Sequence, residues 1–329
     1  MAEAGTGVVV GKFYPPHRGH QLLVETGRAA VRQLYVFVCH HESQVIPGEL
    51  RAAWLREMCG GQGGVEVRVI PDVLDGDDSP GWAAYIRREL GFAPELVFTS
   101  EDYGEPFAYH LGARHVLVDR ARRRVPCSAT AIRADPLGHL AFLAPCVRAY
   151  FVRRVVCVGA ESTGKTTLTE RLARHYGSAW VPEYGRELAE QKLRRGDDGW
   201  RSSEFERIAR EQARREDAAA RGAERVLLCD TDAFATGIWH ERYLGRRSPA
   251  VEAVADGRRV DLYLLAAPDV PFVQDGTRDG EHLRHWMHRR FADALAARGA
   301  RHVLLDGPHA GRFARAVAAI DALLGEVRL

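Results

Sequence analysis

Short, β-branched apolar runs alternate with longer amphipathic stretches along the whole chain. In the first half the runs are GVVVGKF (7–13), LYVFVCH (34–40), VEVRVI (65–70), LVFTS (96–100) and RHVLVD (114–119). Helical patterning occupies 18–32, 48–59 and 81–91. The second half repeats the rhythm with RRVVCVG (153–159), AWVPE (179–183), RVLLCD (225–230), DLYLLA (261–266) and RHVLLDG (301–307), and with helices over 202–222, 281–298 and 308–327. Strands separated by helices predict parallel sheets with crossover helices, so the pattern predicts an α/β protein built from two successive units. At roughly 100–200 residues per domain, the 329 residues accommodate two. The join falls near 145–153, where Pro145 precedes a short apolar stretch, giving expected domains at 1–150 and 151–329. No Gly/Ser linker or low-complexity tract separates them.

Composition narrows the function classes. With 46% hydrophobic residues the chain can bury substantial cores, which excludes wholesale disorder. A net charge of +2 argues against a general polyanion binder. No uncharged apolar run approaches the ~20 residues that span a bilayer, and the N-terminal MAEAGTGVVVGKF runs into a strand without a basic region and apolar segment. Neither membrane insertion nor secretion is therefore expected. The cysteines at 39, 59, 127, 146, 157 and 229 form no CxxC pair and fit neither a zinc site nor a disulfide framework. They read as reduced thiols of a cytoplasmic protein. All but three of the 46 basic side chains are arginine, and two of the three lysines, Lys12 and Lys165, lie in glycine-flanked segments that call for a compact ammonium.

The first of these segments, Gly11-Lys12-Phe13-Tyr14-Pro15-Pro16-His17-Arg18-Gly19-His20, joins a strand to a helix. Histidines three apart project from one helical face, and a helix N-terminus favours an anion. Together they form a phosphate-sized site with two neutral or cationic donors. The string resembles the signature of the nucleotidyltransferase superfamily, which carries (H/T)xGH after its first strand. The superfamily's second element, a Ser/Thr-rich helix start ending in arginine, has its counterpart in Cys127-Ser128-Ala129-Thr130-Ala131-Ile132-Arg133. The resemblance implies that Ser128 and Thr130 hold the ATP β/γ-phosphates with Arg133, although a plain Ser cap explains Ser128 equally well. Gly11, Phe13, Lys12, His17 and His20 would complete the site. The implied chemistry is in-line attack by a phosphate oxygen on the α-phosphorus of ATP, assisted by positioning and charge neutralisation, with Mg2+.

The second segment, Gly159-Ala160-Glu161-Ser162-Thr163-Gly164-Lys165-Thr166-Thr167, follows a strand and matches GxxxxGK[ST]. Backbone amides across Gly159, Ser162, Thr163, Gly164 and Thr167 would cradle phosphates, Lys165 would reach the β- and γ-oxygens, and Thr166 would ligate Mg2+. Asp230, ending RVLLCD, is the expected Mg2+-side acid. Asp232 is a substrate-hydroxyl ligand or a helix cap. Glu183 is a general-base candidate, with a surface helix-start glutamate as the alternative. The loop 274–280 is either a lid whose Arg278 closes on the transferring phosphate or a solvated turn.

With EYGRE (183–187), DTD (230–232) and DGTR (275–278), the chain resembles the bifunctional nicotinamide-mononucleotide adenylyltransferase/ribosylnicotinamide kinase family, NadR-like proteins, from about residue 7 to 327. The resemblance implies a Rossmann-like nucleotidyltransferase fold followed by a P-loop kinase fold. The second domain would phosphorylate nicotinamide riboside with ATP to the mononucleotide NMN, and the first would adenylylate NMN to NAD, releasing pyrophosphate. It also points to Trp82 as a stacking platform for the cationic nicotinamide ring, against core packing as the other reading. Trp54, Trp180 and Trp239 are read as core. The chain departs from the family twice. The first strand begins by residue 7, leaving no room for the helix-turn-helix of some members, so no DNA partner is expected. Cys127 replaces an aliphatic residue, which a small hydrophobe tolerates. Two other readings stay open: an adenylyltransferase/kinase pair acting on another vitamin-derived acceptor, and a nucleotide-sensing module. The oligomeric state is left open.

Overall fold

In the first unit the chain lays down β1 (Ala4–Gly11), β2 (Val31–His40), β3 (Val65–Pro71), β4 (Leu96–Thr99) and β5 (Arg114–Leu117). The computed structural model describes residues 4–60, 63–197, 199–275 and 280–327. All neighbouring strands pair in parallel in the order β3-β2-β1-β4-β5. The crossovers are α1 (Arg18–Ala30), α2 (Gly48–Met58), α3 (Ser79–Leu90) and α4 (Gly104–Leu111), followed by the short α5 (Ala129–Ala134). The strand order reverses at β1, where the connections leave in opposite directions. Such a switch point opens a crevice at the strands' C-terminal ends, and ligands of open α/β sheets bind there. One apolar face of the sheet packs Val9, Leu23, Leu34 and Phe98, and the other Val8, Phe37, Ile86 and Leu111. The residues preceding Lys12 are thereby fixed on both sides.

The second unit repeats the principle with a different order. Strands β6 (Arg153–Val158), β7 (Trp180–Val181), β8 (Val226–Asp230), β9 (Leu262–Ala266) and β10 (His302–Leu305) form a parallel sheet ordered β10-β9-β6-β8-β7. The division between compact units falls at Val147/Arg148, within the helix α6 (Pro145–Phe151). Among the described residues seven α-helices complete the second unit: α7 (Lys165–Tyr176), α8 (Tyr184–Arg194), α9 (Ser202–Ala220), α10 (Ala233–Leu244), α11 (Pro249–Asp256), α12 (Arg284–Ala297) and α13 (His309–Leu324). β8 and β9 are buried at every position, as expected of parallel strands covered on both faces.

The expected strand 179–183 contracts to two residues, because Pro182 cannot donate to the ladder. The expected helix from 281 begins as a 3-10 turn at 281–283 before α12 takes over. Helix α3 starts two residues earlier than its pattern suggested, since Asp78 caps it and Pro80 suits its first turn. Among the described residues no helix is long and apolar enough to cross a membrane.

Candidate functional site

In the first unit β1 delivers the chain into a loop at its C-terminal end, and α1 begins at Arg18 with His17 as its cap. The His17 imidazole folds back so that Nδ1 accepts the Gly19 N–H at 3.0 Å. A Cβ at residue 19 would lie 2.9 Å from the ring, so glycine is needed for this fold-back. His20, one turn on, stacks against His17 with centroids 3.8 Å apart, and Phe13 packs edge-on to His20 at 4.9 Å. Burial, reinforced by the Arg122 guanidinium, brings His17 down to about 4. Burial together with His17 and Arg122 holds His20 well below the ordinary histidine value. The expectation of neutral or cationic donors thus narrows to neutral imidazoles. With Nδ1 accepting, the His17 proton resides on Nε2. Cys127 is more than a space-filler: its Sγ lies 3.4 Å from His17 Nδ1.

A cavity of about 450 Å3 opens here, lined among others by Gly11, Lys12, His20, Asp72, Trp82 and Arg133. Lys12 Nζ pairs with Asp72 at 2.9 Å. Arg133 donates to the Tyr14 carbonyl at 2.6 Å and to Thr130 Oγ1 at 3.1 Å, lying over the Tyr14 ring. Ser128 caps α5 by accepting the Ala131 N–H at 3.1 Å. Trp82 is largely buried, with Nε1 donating to the Asp75 carbonyl at 2.9 Å, and it also lines the cavity.

In the second unit β6 ends at Val158 and the glycine loop follows. Gly159 has φ 143, and a Cβ there would meet the Ala266 carbonyl oxygen at 2.7 Å, so only glycine lets the loop lie this close to β9. Lys165 opens α7 with Nζ donating to the Ala160 carbonyl at 2.8 Å, and Thr163 Oγ1 donates to the same oxygen at 2.9 Å. Ser162 Oγ accepts the Val273 N–H at 2.8 Å. Thr166 Oγ1 donates to Asp230 Oδ2 at 2.5 Å, while Asp230 Oδ1 is buried with no partner among the described residues. Burial raises the Asp230 carboxyl, and burial with the Asp230 charge pushes Glu183 up to about 7.

Glu183, Lys165, Thr166 and Thr167 line a cavity of about 400 Å3 together with Trp200, Trp239 and Tyr243. Two expectations change here. Trp239 is a wall of this cavity, stacked on Tyr243 with centroids 6.4 Å apart, and not simply core. Asp232 is committed elsewhere: Oδ1 caps α10 through the Ala235 N–H and Oδ2 accepts the buried Tyr263 hydroxyl, each at 2.8 Å. It is the helix cap of the two alternatives, and a correction to its place among substrate ligands. Arg278 lies outside the described residues. Among the described residues no cluster of three or more His, Cys, Asp or Glu side chains could enclose a metal.

A family model for an AAA domain matches residues 154–312. The chain is 29% identical to the Trifunctional NAD biosynthesis/regulator protein NadR of Escherichia coli (strain K12), over 98% of this chain and 84% of that protein. The protein of the same description from Salmonella typhimurium is also 29% identical, over 97% and 83%. Nearly the whole chain is thus similar to NadR proteins. In structure it superposes on a NadR protein in complex with NR at a TM-score of 0.80, with 23% identity over 100% of this chain and 99% of that one. A NadR protein in complex with NAD and AMP-PNP gives 0.78, with 22% identity over 99% and 98%. The two-sheet architecture of this NadR-like chain is therefore a known fold.

Two buried arginines brace the loops and were invisible to motif reading. Arg51, on α2, donates to the carbonyls of Lys12 and Cys39 and to Gln44 Oε1, holding the first glycine loop from below. Arg312, on α13, donates to Thr163 O at 3.0 Å, Ala267 O at 3.2 Å and Gly307 O at 2.8 Å, and pairs with Asp269. In an arginine-rich chain neither stands out, and their partners lie 39 and 149 residues away.

Proposed function

We propose that the chain makes NAD from nicotinamide riboside in two ATP-driven steps, phosphorylation in the second unit and adenylylation in the first. One observation carries the reading: a chain NadR-like over 98% of its length holds two separate pockets, each beside a strand-to-helix phosphate loop. The first unit is the Rossmann-like nucleotidyltransferase, and its sheet order supports this assignment. The second is the kinase. Six cysteines, mostly buried, support a reducing cytoplasmic setting.

In the second unit the flat cationic pyridinium of the riboside suits the wall of Trp200, Trp239 and Tyr243. Its 5′-hydroxyl oxygen bonds to the γ-phosphorus of ATP, the bond to the β,γ-bridging oxygen breaks, and ADP leaves. The hydroxyl proton passes to Glu183, whose raised pKa suits a base working near neutrality. Lys165 exchanges the Ala160 carbonyl for phosphate oxygens. Thr166 and Asp230 fit a Mg2+ site, because Asp230 carries a buried oxygen with no partner among the described residues, beside the threonine hydroxyl. The ion would neutralise charge on the β- and γ-oxygens.

In the first unit a phosphate oxygen of NMN bonds to the α-phosphorus of a second ATP, the bond to the α,β-bridging oxygen breaks, and pyrophosphate leaves. Neutral His17 and His20 donate N–H hydrogen bonds to the phosphoryl oxygens, and Lys12 and Arg133 supply the positive charge. Mass-spectrometric analysis of products from the pure protein, nicotinamide riboside, ATP and Mg2+ tests the reading. NMN and NAD are expected, with ADP and pyrophosphate. Absence of both NMN and NAD sinks it.

A further inference from the structure

The second phosphate loop contains a carboxylate, an odd charge for a segment built to hold anions. Glu161 Oε1 accepts from Arg242 Nη1 at 2.5 Å, and Oε2 accepts the Gly280 backbone N–H at 3.0 Å. The pair is withdrawn from water, with side-chain exposures of 11% for Glu161 and 2% for Arg242. Arg242 in turn lies over the rings of Trp239 and Tyr243, at 5.1 and 4.6 Å from their centroids. Those two rings and Glu161 line the same cavity. A buried ion pair thus joins the loop that seats the donor phosphates to the wall that seats the acceptor.

Separating such a pair takes opposite charges apart in a poorly hydrated place, which favours their moving together. The loop has little slack beside it. Ser162, the next residue, holds φ 54, its hydroxyl is fixed by the Val273 N–H, and its carbonyl accepts from Arg284 at 3.2 Å. A ligand that settles Trp239 and Tyr243 therefore also settles Glu161 and the loop backbone. By thermodynamic reciprocity, a nucleotide that orders the loop settles the aromatic wall to the same degree.

We propose that Glu161 is a positioning residue which, through Arg242, couples acceptor binding at the aromatic wall to nucleotide binding at the phosphate loop, each ligand strengthening the other. The inference deepens the kinase reading and rests on it.

Calorimetric titration of nicotinamide riboside, with and without AMP-PNP and Mg2+, tests it on the full chain. In the wild type AMP-PNP is expected to tighten the riboside at least about fivefold. In Glu161→Gln, which keeps the shape and an oxygen for the Gly280 N–H but removes the charge, the ratio falls below about twofold. Arg242→Gln serves as a second variant with the same expected ratio, and the double variant loses no more than either single. Thermal melts establish that each variant is folded. Riboside affinity that drops equally with and without AMP-PNP, leaving the ratio at its wild-type value, overturns the proposal and marks Glu161 as merely structural. A wild type that binds both ligands with no coupling removes the inference alone. A wild type that binds no riboside removes the kinase reading and the inference with it.

Discussion

In the proposed adenylylation His17 and His20 would serve as neutral donors, which requires their environment to keep protons off them. A histidine brought down from 6.5 to about 4 binds fewer protons than the unfolded chain between those values. Its contribution to stability is therefore present above pH 6.5 and is lost as pH falls toward 4. Urea unfolding should show this decline, and kcat/KM for NAD formation from supplied NMN should have no His17 limb between pH 6 and 8. Glu183 behaves oppositely. Raised to about 7, it must lose its proton to act as base, so kcat/KM for riboside phosphorylation should rise with pH through that region. Glu183→Gln should lower the rate about 10²–10⁴-fold and flatten that rise. A Gln variant that keeps both rate and pH profile would remove Glu183 from the role. At this scale the motif residues were legible because their chemistry is local. For Asp232 the cap and the substrate ligand could not be told apart, because its second oxygen answers to Tyr263, 31 residues on in β9.

The two glycine loops were legible as strand–loop–helix elements, since backbone conformation there is dictated by a few adjacent residues. What holds each loop in place was not. Arg312→Met should leave the carbonyls of Thr163, Ala267 and Gly307 short of a donor, which costs on the order of 3 kcal/mol at about 1–3 kcal/mol for each badly satisfied group. Denaturant unfolding of the full chain, followed by the transition that carries the second unit, measures it. A loss below about 0.5 kcal/mol would mean that water replaces the guanidinium freely. The aromatic wall was illegible for a related reason. Trp200 precedes α9 and Trp239 lies on α10, and only the packing of those helices brings both rings to one cavity.

For the whole chain, two pockets in two compact units predict separable activities. Lys165→Ala should abolish phosphorylation of the riboside and still adenylylate supplied NMN. His20→Ala should accumulate NMN without NAD. A mixture of the two variants should then make NAD from riboside, because NMN released by one is taken up by the other. Failure of the mixture, with each variant active in its own step, would show that the intermediate does not leave the chain that makes it. Chromatography of the nucleotide products distinguishes the outcomes. The two-unit plan itself was legible from the alternating apolar runs. Helix α10 was not, because it is buried nearly all round and carries little periodic contrast, and α11 is only 8 residues long.

The contact between Gly159 and the Ala266 carbonyl sets the height of the second loop above its sheet by main chain alone. Nothing in that stop depends on which side chains fill the surrounding core. Descendants of such a chain that keep the Glu161–Arg242 pair can therefore exchange rings on the acceptor side while Gly159 holds the start of the loop at the same height above β9.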